Sequence, residues 1–118
     1  MKSFKLEDLA IIKGGKRLPK GCELIDLKTQ HPYIRARDIK NGKINFNEPR
    51  YLEEATFQRI SRYTINQGDV IITIVGVNIG DVAYVDFTFH NANLTENAVK
   101  ISVNQDNIYS KYLFYYLN

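Results

Sequence analysis

The 118-residue sequence contains few of the residues on which several protein classes depend. Cys22 is the one cysteine, so no internal disulfide can form and a reducing compartment such as the cytoplasm is indicated. Tryptophan is absent, and the two histidines, His31 and His90, lie far apart in sequence without paired carboxylates nearby. We therefore expect neither a metal centre nor catalysis by a histidine.

Long apolar segments are also missing. The longest apolar run, residues 70–77, is interrupted by Thr73 and Gly76 and is too short to span a bilayer. No apolar segment follows a basic start as in a signal peptide, so no membrane partner is expected. The composition, 44% hydrophobic and 25% charged, is typical of a globular protein, and the length predicts a single domain over residues 1–118.

Catalytic and nucleotide-binding motifs are incomplete. The Gly-Gly-Lys at 14–16 lacks the first glycine and the Ser/Thr of a phosphate-binding loop. The glycines at 76 and 80 precede a predicted strand, where a phosphate site would need a helix N-terminus. Cys22 has no positioned base that would make it a nucleophile. These patterns favour a binding module that holds no cofactor of its own.

Charge is distributed unevenly along the chain. Residues 13–50 contain ten Lys and Arg against four Asp and Glu, whereas residues 63–118 contain two against five. A basic N-terminal half is typical of a surface that binds a polyanion such as nucleic acid. Chance clustering on a solvated surface would give the same counts, so charge alone leaves both interpretations open.

Apolar periodicity predicts mostly strands. Strands are expected at 4–12 and 33–39, and the Asn-Gly pair at 41–42 predicts a tight turn into a further strand. The β-branched residues 70–75 predict a strand buried on both faces, with later strands at 82–87 and 98–103. Helices are expected at 52–60 and at 109–117, where aromatic residues and leucines share one face. This apolar face indicates either that the helix docks on this domain or that the sequence is a fragment of a longer protein.

Five segments, in this order, resemble the target recognition domain of the specificity subunit in type I restriction–modification enzymes. They are the basic loop at 15–21, residues 32–39, the turn and strand at 68–73, the glycines at 76 and 80, and the Ala-Asn-Leu-Thr-Glu-Asn-Ala stretch at 92–98. Each segment alone is common, but the five in this order make the resemblance specific. Together they extend over nearly the whole chain. The stretch at 92–98 is the most distinctive.

The resemblance implies an α+β fold with a β-helix-like strand core, in which the C-terminal helix begins a helical hairpin. It implies that the chain reads one half of a bipartite double-stranded DNA target and catalyses nothing itself. Modification subunits and a motor–nuclease subunit would be its partners, and S-adenosylmethionine, Mg and ATP would belong to those subunits. Full specificity subunits are several times longer, so we expect a fragment or a truncated gene product.

Two other interpretations stay open at this point. The same kind of recognition domain occurs fused to a type IIG restriction–modification enzyme. A protein-interaction module could instead dock through its aromatic C-terminal helix.

Eight side chains are candidates for DNA contacts: Lys13, Lys16, Arg17, Lys20, Lys28, Gln30, Arg35 and Arg37. The first four lie in or just before the basic loop and are expected to bind phosphates. The next two lie in a polar loop, where glutamine can pair with adenine. The last two share one face of the predicted strand, ~7 Å apart, which suits contact along a groove. A structural ion pair between Arg37 and Asp38 is the alternative for that strand.

The structural signature of the resemblance comprises Gly68, Asp69, Gly76, Gly80, Asn93, Thr95, Glu96 and Asn97. Within the stretch 92–98, one carboxylate is too few for a calcium loop. Amide and hydroxyl side chains commonly satisfy main-chain groups at turns, and Leu94 is expected to be a buried pin. We predict a framework role that holds the DNA-reading loops, with direct contact by Asn93 or Asn97 as the alternative. Under the framework hypothesis, Asn97→Ala lowers thermal stability.

Overall fold

The computed structural model of the protein describes residues 10–103. Its regular elements are β1 (Ala10–Gly14), β2 (Tyr33–Ile34), β3 (Ile39–Lys40), β4 (Lys43–Ile44), α1 (Glu54–Ile60), β5 (Val70–Thr73), β6 (Val82–Tyr84), β7 (Asn93–Leu94) and β8 (Ala98–Val103). Two 3₁₀ helices span Ala36–Asp38 and Phe87–Phe89. The described part is therefore a mixed, strand-rich fold with one α-helix. The predicted helix at 109–117 and the first part of the predicted strand at 4–12 lie outside the described residues.

The main sheet contains four antiparallel strands in the order β1-β8-β5-β6. The register places Gly14 of β1 opposite Val99, and Thr73 of β5 opposite Ala98. Because β1 and β5 both run antiparallel to β8, they run parallel to each other on its two sides. The loops that follow them therefore leave the same end of the sheet.

Two short strand pairs complete the fold. Strand β2 pairs in parallel with β7, and β3 forms an antiparallel hairpin with β4. The predicted tight turn of this hairpin is confirmed, since Asn41 and Gly42 have φ angles of 55° and 81°, as a type I′ turn requires. Gly42 also bridges to Ala83 of β6, which fixes the hairpin to the main sheet.

The main core covers one face of the sheet. Its buried members are Ile34, Ile39, Ile65, Ile71, Ala83, Val85, Ala92, Leu94 and Ala98. A second cluster of Tyr33, Leu52 and Ile60 packs under α1, which begins two residues later than predicted. The burial of β5 at three of its four residues confirms the prediction for that strand, although it ends at Thr73.

The segment 33–39 is not the single strand that its alternation predicts. Only its first two residues form β2, after which Arg35 begins the 3₁₀ helix. The cause is Asp38, whose carboxylate accepts hydrogen bonds from the Arg35 main-chain nitrogen (2.9 Å) and from its guanidinium Nε (3.1 Å). Local bonds of this kind compete with strand pairing.

The predicted strand at 82–87 is shortened for a similar reason. It ends at Tyr84, and the Asp86 carboxylate accepts a hydrogen bond from the Thr88 main-chain nitrogen (2.9 Å). This side chain caps the second 3₁₀ helix and turns the chain away from β5.

Candidate nucleic-acid interface

The basic loop, residues 15–20, follows β1 and is held by main-chain hydrogen bonds. The Gly15 nitrogen donates to the Ala98 carbonyl (3.2 Å), and the Lys16 nitrogen donates to the Leu94 carbonyl (2.9 Å). Since these bonds use the main chain, the cationic side chains of the loop remain exposed to solvent.

Two further features fix the position of this loop. A side chain at Gly15 would overlap the main-chain oxygens of Leu94 and Thr95, so the loop approaches that segment as closely as glycine allows. The Tyr33 hydroxyl donates to the Lys16 carbonyl (2.8 Å). Burial raises the pKa of Tyr33 above its ordinary value, so the hydroxyl stays protonated and remains a donor at neutral pH.

Helix α1 brings a cation to the loop that the sequence analysis missed. Arg59, in its last turn, lines an open groove of about 570 Å³ together with Lys16, Arg17 and Lys20. Its guanidinium Nη1 lies 3.7 Å from the Cys22 sulfur. Two parts of the chain that are distant in sequence, the basic loop and the last turn of α1, thus supply positive charge to one concave surface.

Arg62, just after α1, is the second missed cation. It lines a neighbouring groove of about 410 Å³ with Lys13, Tyr63 and Lys100. The Tyr63 ring joins the two grooves, because the Lys16 Nζ lies 5.7 Å and the Arg62 guanidinium carbon 5.9 Å from its centroid. These distances allow cation–π attraction. Arg62 lies beyond both the predicted and the observed end of the helix, so helical spacing gave no signal for it.

We call this surface the basic strip and define it by six exposed side chains: Lys13, Lys16, Arg17, Lys20, Arg59 and Arg62. Glu96 lies beside it, with its carboxylate 3.9 Å from the Arg17 Nε. Both side chains are about half exposed or more, and such a pair contributes little, so Arg17 is available to another anion. Lys100 is different, because its Nζ donates to the Thr64 carbonyl (2.6 Å).

Arg35 and Arg37 do not share a strand face, contrary to the prediction. Arg35 is only 18% exposed and pairs with Asp38 at 3.1 Å, while it also donates to the Glu48 carbonyl. Arg37 is 56% exposed and lies 3.3 Å from the Glu48 carboxylate. Asp38 therefore pairs with Arg35, and Arg37 pairs with Glu48, in place of the ion pair considered between Arg37 and Asp38. The guanidinium of Arg35 is engaged by contacts within the fold.

Lys28 and Gln30 are exposed in the loop that precedes β2. The loop is fixed by Thr29, whose hydroxyl donates to the Leu52 carbonyl (2.7 Å). Neither Lys28 nor Gln30 lines the two grooves of the basic strip. Their contact with DNA stays a prediction.

The stretch 92–98 supports the elements around it. Asn93 is fully buried, and its side-chain nitrogen donates to the Ile60 carbonyl at the end of α1 (2.8 Å). Leu94 lies in the main core, which confirms the predicted buried pin. The Thr95 hydroxyl accepts a hydrogen bond from the Asn97 main-chain nitrogen (3.3 Å). A buried Asn93 is not accessible to a base, so the framework role is the better interpretation for that residue.

The remaining signature residues lie at turns. Gly68, Gly76 and Gly80 all have φ angles between 95° and 108°, a region that favours glycine. The Asp69 carboxylate accepts a hydrogen bond from the Asn66 main-chain nitrogen (2.8 Å) and closes the turn before β5.

Residues 10–103 contain neither a metal-binding cluster nor a helix that could cross a membrane. In that range, no group of three His, Cys, Asp or Glu side chains is arranged to hold a metal ion. Its helix is neither long nor apolar enough to cross a membrane.

Exposed cations along two adjoining grooves of a strand-rich fold are typical of the class of polyanion-binding modules. A family model, the type I restriction modification DNA specificity domain, matches residues 1–118. The chain belongs to this family, which is non-catalytic, and the resemblance seen in the sequence is confirmed. The type IIG and protein-interaction alternatives are not favoured.

A solved structure supports the same fold. The crystal structure of the type I restriction–modification system S subunit from M. genitalium is similar to this chain with a TM-score of 0.57 and 15% sequence identity. The similarity covers 97% of this chain and 25% of that one, so the chain spans about a quarter of that protein's length. No curated protein matches the chain.

Proposed function

We propose that this chain is a DNA target recognition domain that binds double-stranded DNA through the basic strip. The observation that carries the proposal is the arrangement of six exposed cations from β1, the basic loop and the end of α1 along two adjoining grooves. Membership of a DNA specificity family supports DNA as the polyanion.

Phosphate contacts position a protein on DNA and supply much of its affinity. The net charge of the whole chain is only +3, so the local concentration of cations matters more than the total. In this proposal the strip fixes the register of the domain on the duplex. Base contacts by neighbouring loops then read one half of a bipartite target.

The proposal extends to the complex in which such a domain acts. Modification subunits would methylate adenine and a motor–nuclease subunit would cleave DNA, and those subunits would bind S-adenosylmethionine, Mg and ATP. Residues 1–118 would form one recognition domain in the cytoplasm. The β-helix-like winding of its strands and the helical hairpin belong to the same proposal.

The test is a titration of labelled duplex DNA with the full chain, followed by fluorescence anisotropy at several salt concentrations. Each phosphate contact contributes about −0.9 to the slope of log K against log salt concentration. Arg59→Ala and Arg62→Ala should each weaken binding and reduce the magnitude of the slope by roughly 0.9, because each removes one phosphate contact.

Lys43→Ala provides the matched control, since Lys43 is an exposed cation on β4 away from both grooves. It should leave the slope unchanged. A salt-independent affinity, or an equal effect of all three substitutions, would contradict the assignment of the basic strip.

A further inference from the structure

Residues 74–80, in the loop between β5 and β6, expose four aliphatic side chains. Val77 is 99% exposed, and Ile74, Val75 and Ile79 are between 45% and 67% exposed. These seven residues carry no charge, and the loop's one charged side chain, the half-buried Asp81, directly precedes β6. Exposed apolar groups that are contiguous in this way commonly mark a contact surface.

The loop is held in place by hydrogen bonds at both its base and its side. The Gly80 nitrogen donates to the Thr73 carbonyl (2.9 Å), which closes the loop where the two strands meet. The Ile74 nitrogen donates to the Asn97 carbonyl (2.8 Å). The aliphatic side chains are therefore presented by an ordered turn.

This apolar loop and the basic loop leave the same end of the main sheet. They follow β5 and β1, which flank β8, so two strand spacings separate them by about 10 Å. Both loops bond to the same short segment, the apolar loop to the carbonyl of Asn97 and the basic loop to those of Leu94 and Ala98. The segment 94–98 thus fixes an apolar and a cationic surface beside each other.

We propose that the β5–β6 loop packs its aliphatic side chains into a groove of the duplex whose phosphates contact the basic loop. This inference rests on the proposed function. The major groove is roughly 12 Å wide, so a separation of about 10 Å brings one loop over the groove while the other contacts its phosphate edge. Aliphatic side chains contact thymine methyl groups in the major groove or act as wedges in the minor groove.

DNA fits this surface better than an apolar protein partner does. A protein that covered the loop would also cover Lys16 and Arg17 about 10 Å away, and it would have to remove water from those charges. A DNA groove instead offers apolar atoms bordered by phosphates, which matches the pairing of the two loops.

The test compares Val77→Ser with the wild-type chain in the same anisotropy titration. Loss of a buried valine contact should weaken duplex binding about tenfold. The salt slope should stay unchanged, because an apolar contact releases no counterions. Ile79→Ser should act in the same direction. Phe87→Ser is the matched control, since Phe87 is 76% exposed beyond the C-terminal end of β6, the end away from this loop, and it should bind as the wild type does.

Each other result has a distinct meaning. If the wild-type chain binds no duplex, the proposed function fails and this inference fails with it. If the wild type binds and Val77→Ser binds equally well, the inference alone is overturned. A change in self-association by light scattering, with DNA affinity unchanged, would reassign the loop to contacts between copies of the chain and would also overturn it.

Discussion

Asn93 ties two elements of the fold together through a single buried amide. Its side-chain nitrogen donates to the Ile60 carbonyl, while its side-chain oxygen has no hydrogen-bond partner among residues 10–103. Asn93→Ala removes one buried hydrogen bond and leaves a small cavity, both of which lower stability. The substitution also removes the unpaired buried oxygen, which offsets part of that loss. We expect the free energy of unfolding to fall by about 1–2 kcal/mol, measured by thermal or urea denaturation.

Asn97→Ala is the control for that substitution. The hydrogen bonds that the structure gives Asn97 use its main-chain nitrogen and carbonyl, which alanine keeps. The change in stability should therefore stay within roughly 0.5 kcal/mol. A larger loss for Asn97→Ala than for Asn93→Ala would return the framework role to the Asn97 side chain, as the sequence suggested.

His31 and Glu54 form a contact that depends on pH. The His31 ring stacks on Phe57 with centroids 3.8 Å apart, and its Nε2 hydrogen bonds with the Glu54 carboxylate. This hydrogen bond, with a second one from Gln58, lowers the pKa of Glu54 below its ordinary value. The contact stabilises the fold above the ordinary pKa of the carboxyl group and is lost as the pH falls through the lowered value.

His31→Ala should raise the pKa of Glu54 towards its ordinary value in an NMR titration of the carboxyl carbons. The bond from Gln58 remains in this variant, so the return is incomplete. An unchanged Glu54 pKa would show that the imidazole does not bind the carboxylate in solution.

The arginines show what sequence patterns can and cannot establish for single residues. The alternating pattern predicted that Arg35 and Arg37 both contact DNA from one strand face. It does not reveal that the Asp38 carboxylate binds Arg35 and turns the chain out of the strand. Arg59 and Arg62 join the basic strip through tertiary packing of α1 near a loop some 40 residues earlier. That proximity depends on contacts distant in sequence, which local periodicity does not encode.

At the scale of elements, the basic loop depends on its close approach to β7 and β8. Gly15→Ala would place a methyl group against the main-chain oxygens of Leu94 and Thr95. The loop or the segment must then move, at a cost of roughly 1–3 kcal/mol in stability. We expect a lower melting temperature and weaker duplex binding, because the displaced loop carries three cations of the basic strip.

Gly14→Ala is a closely matched comparison one position earlier. Apart from its two chain neighbours, no atom in the described part of the chain lies within 4 Å of a methyl group at Gly14, so both stability and DNA binding should be nearly unchanged. Equal effects of the two substitutions would mean that the loop does not rest on the segment 94–98.

Elements with local signals were predictable from the sequence. The Asn-Gly turn, the β-branched run of β5 and the charge order of α1 each have a cause within a few residues. The parallel pair of β2 and β7 joins residues some 60 positions apart and is only two residues long on each side. Its formation depends on burial of Ile34 and Leu94 in one core, which the strand pattern alone does not specify.

In the molecule as a whole, the basic loop and the apolar loop of the proposed DNA-binding surface leave the same end of the main sheet. The stretch 92–98, which made the family recognisable, is the part that holds the basic loop and the apolar loop at this end. The family could be recognised from that stretch, and the charge asymmetry could be read from residues 13–50. The surface itself required the antiparallel order β1-β8-β5, which brings the two loops to one side.

NMR mapping of the ¹⁵N-labelled chain with a short DNA duplex at low salt would locate the DNA-binding surface directly. Amide shifts should change in the basic loop 15–20, at the end of α1 around 59–63 and in the apolar loop 74–80. The β3–β4 turn at 41–42 should change little. Shifts confined to that turn, or no shifts at a duplex excess, would contradict the claim that this end of the sheet binds DNA.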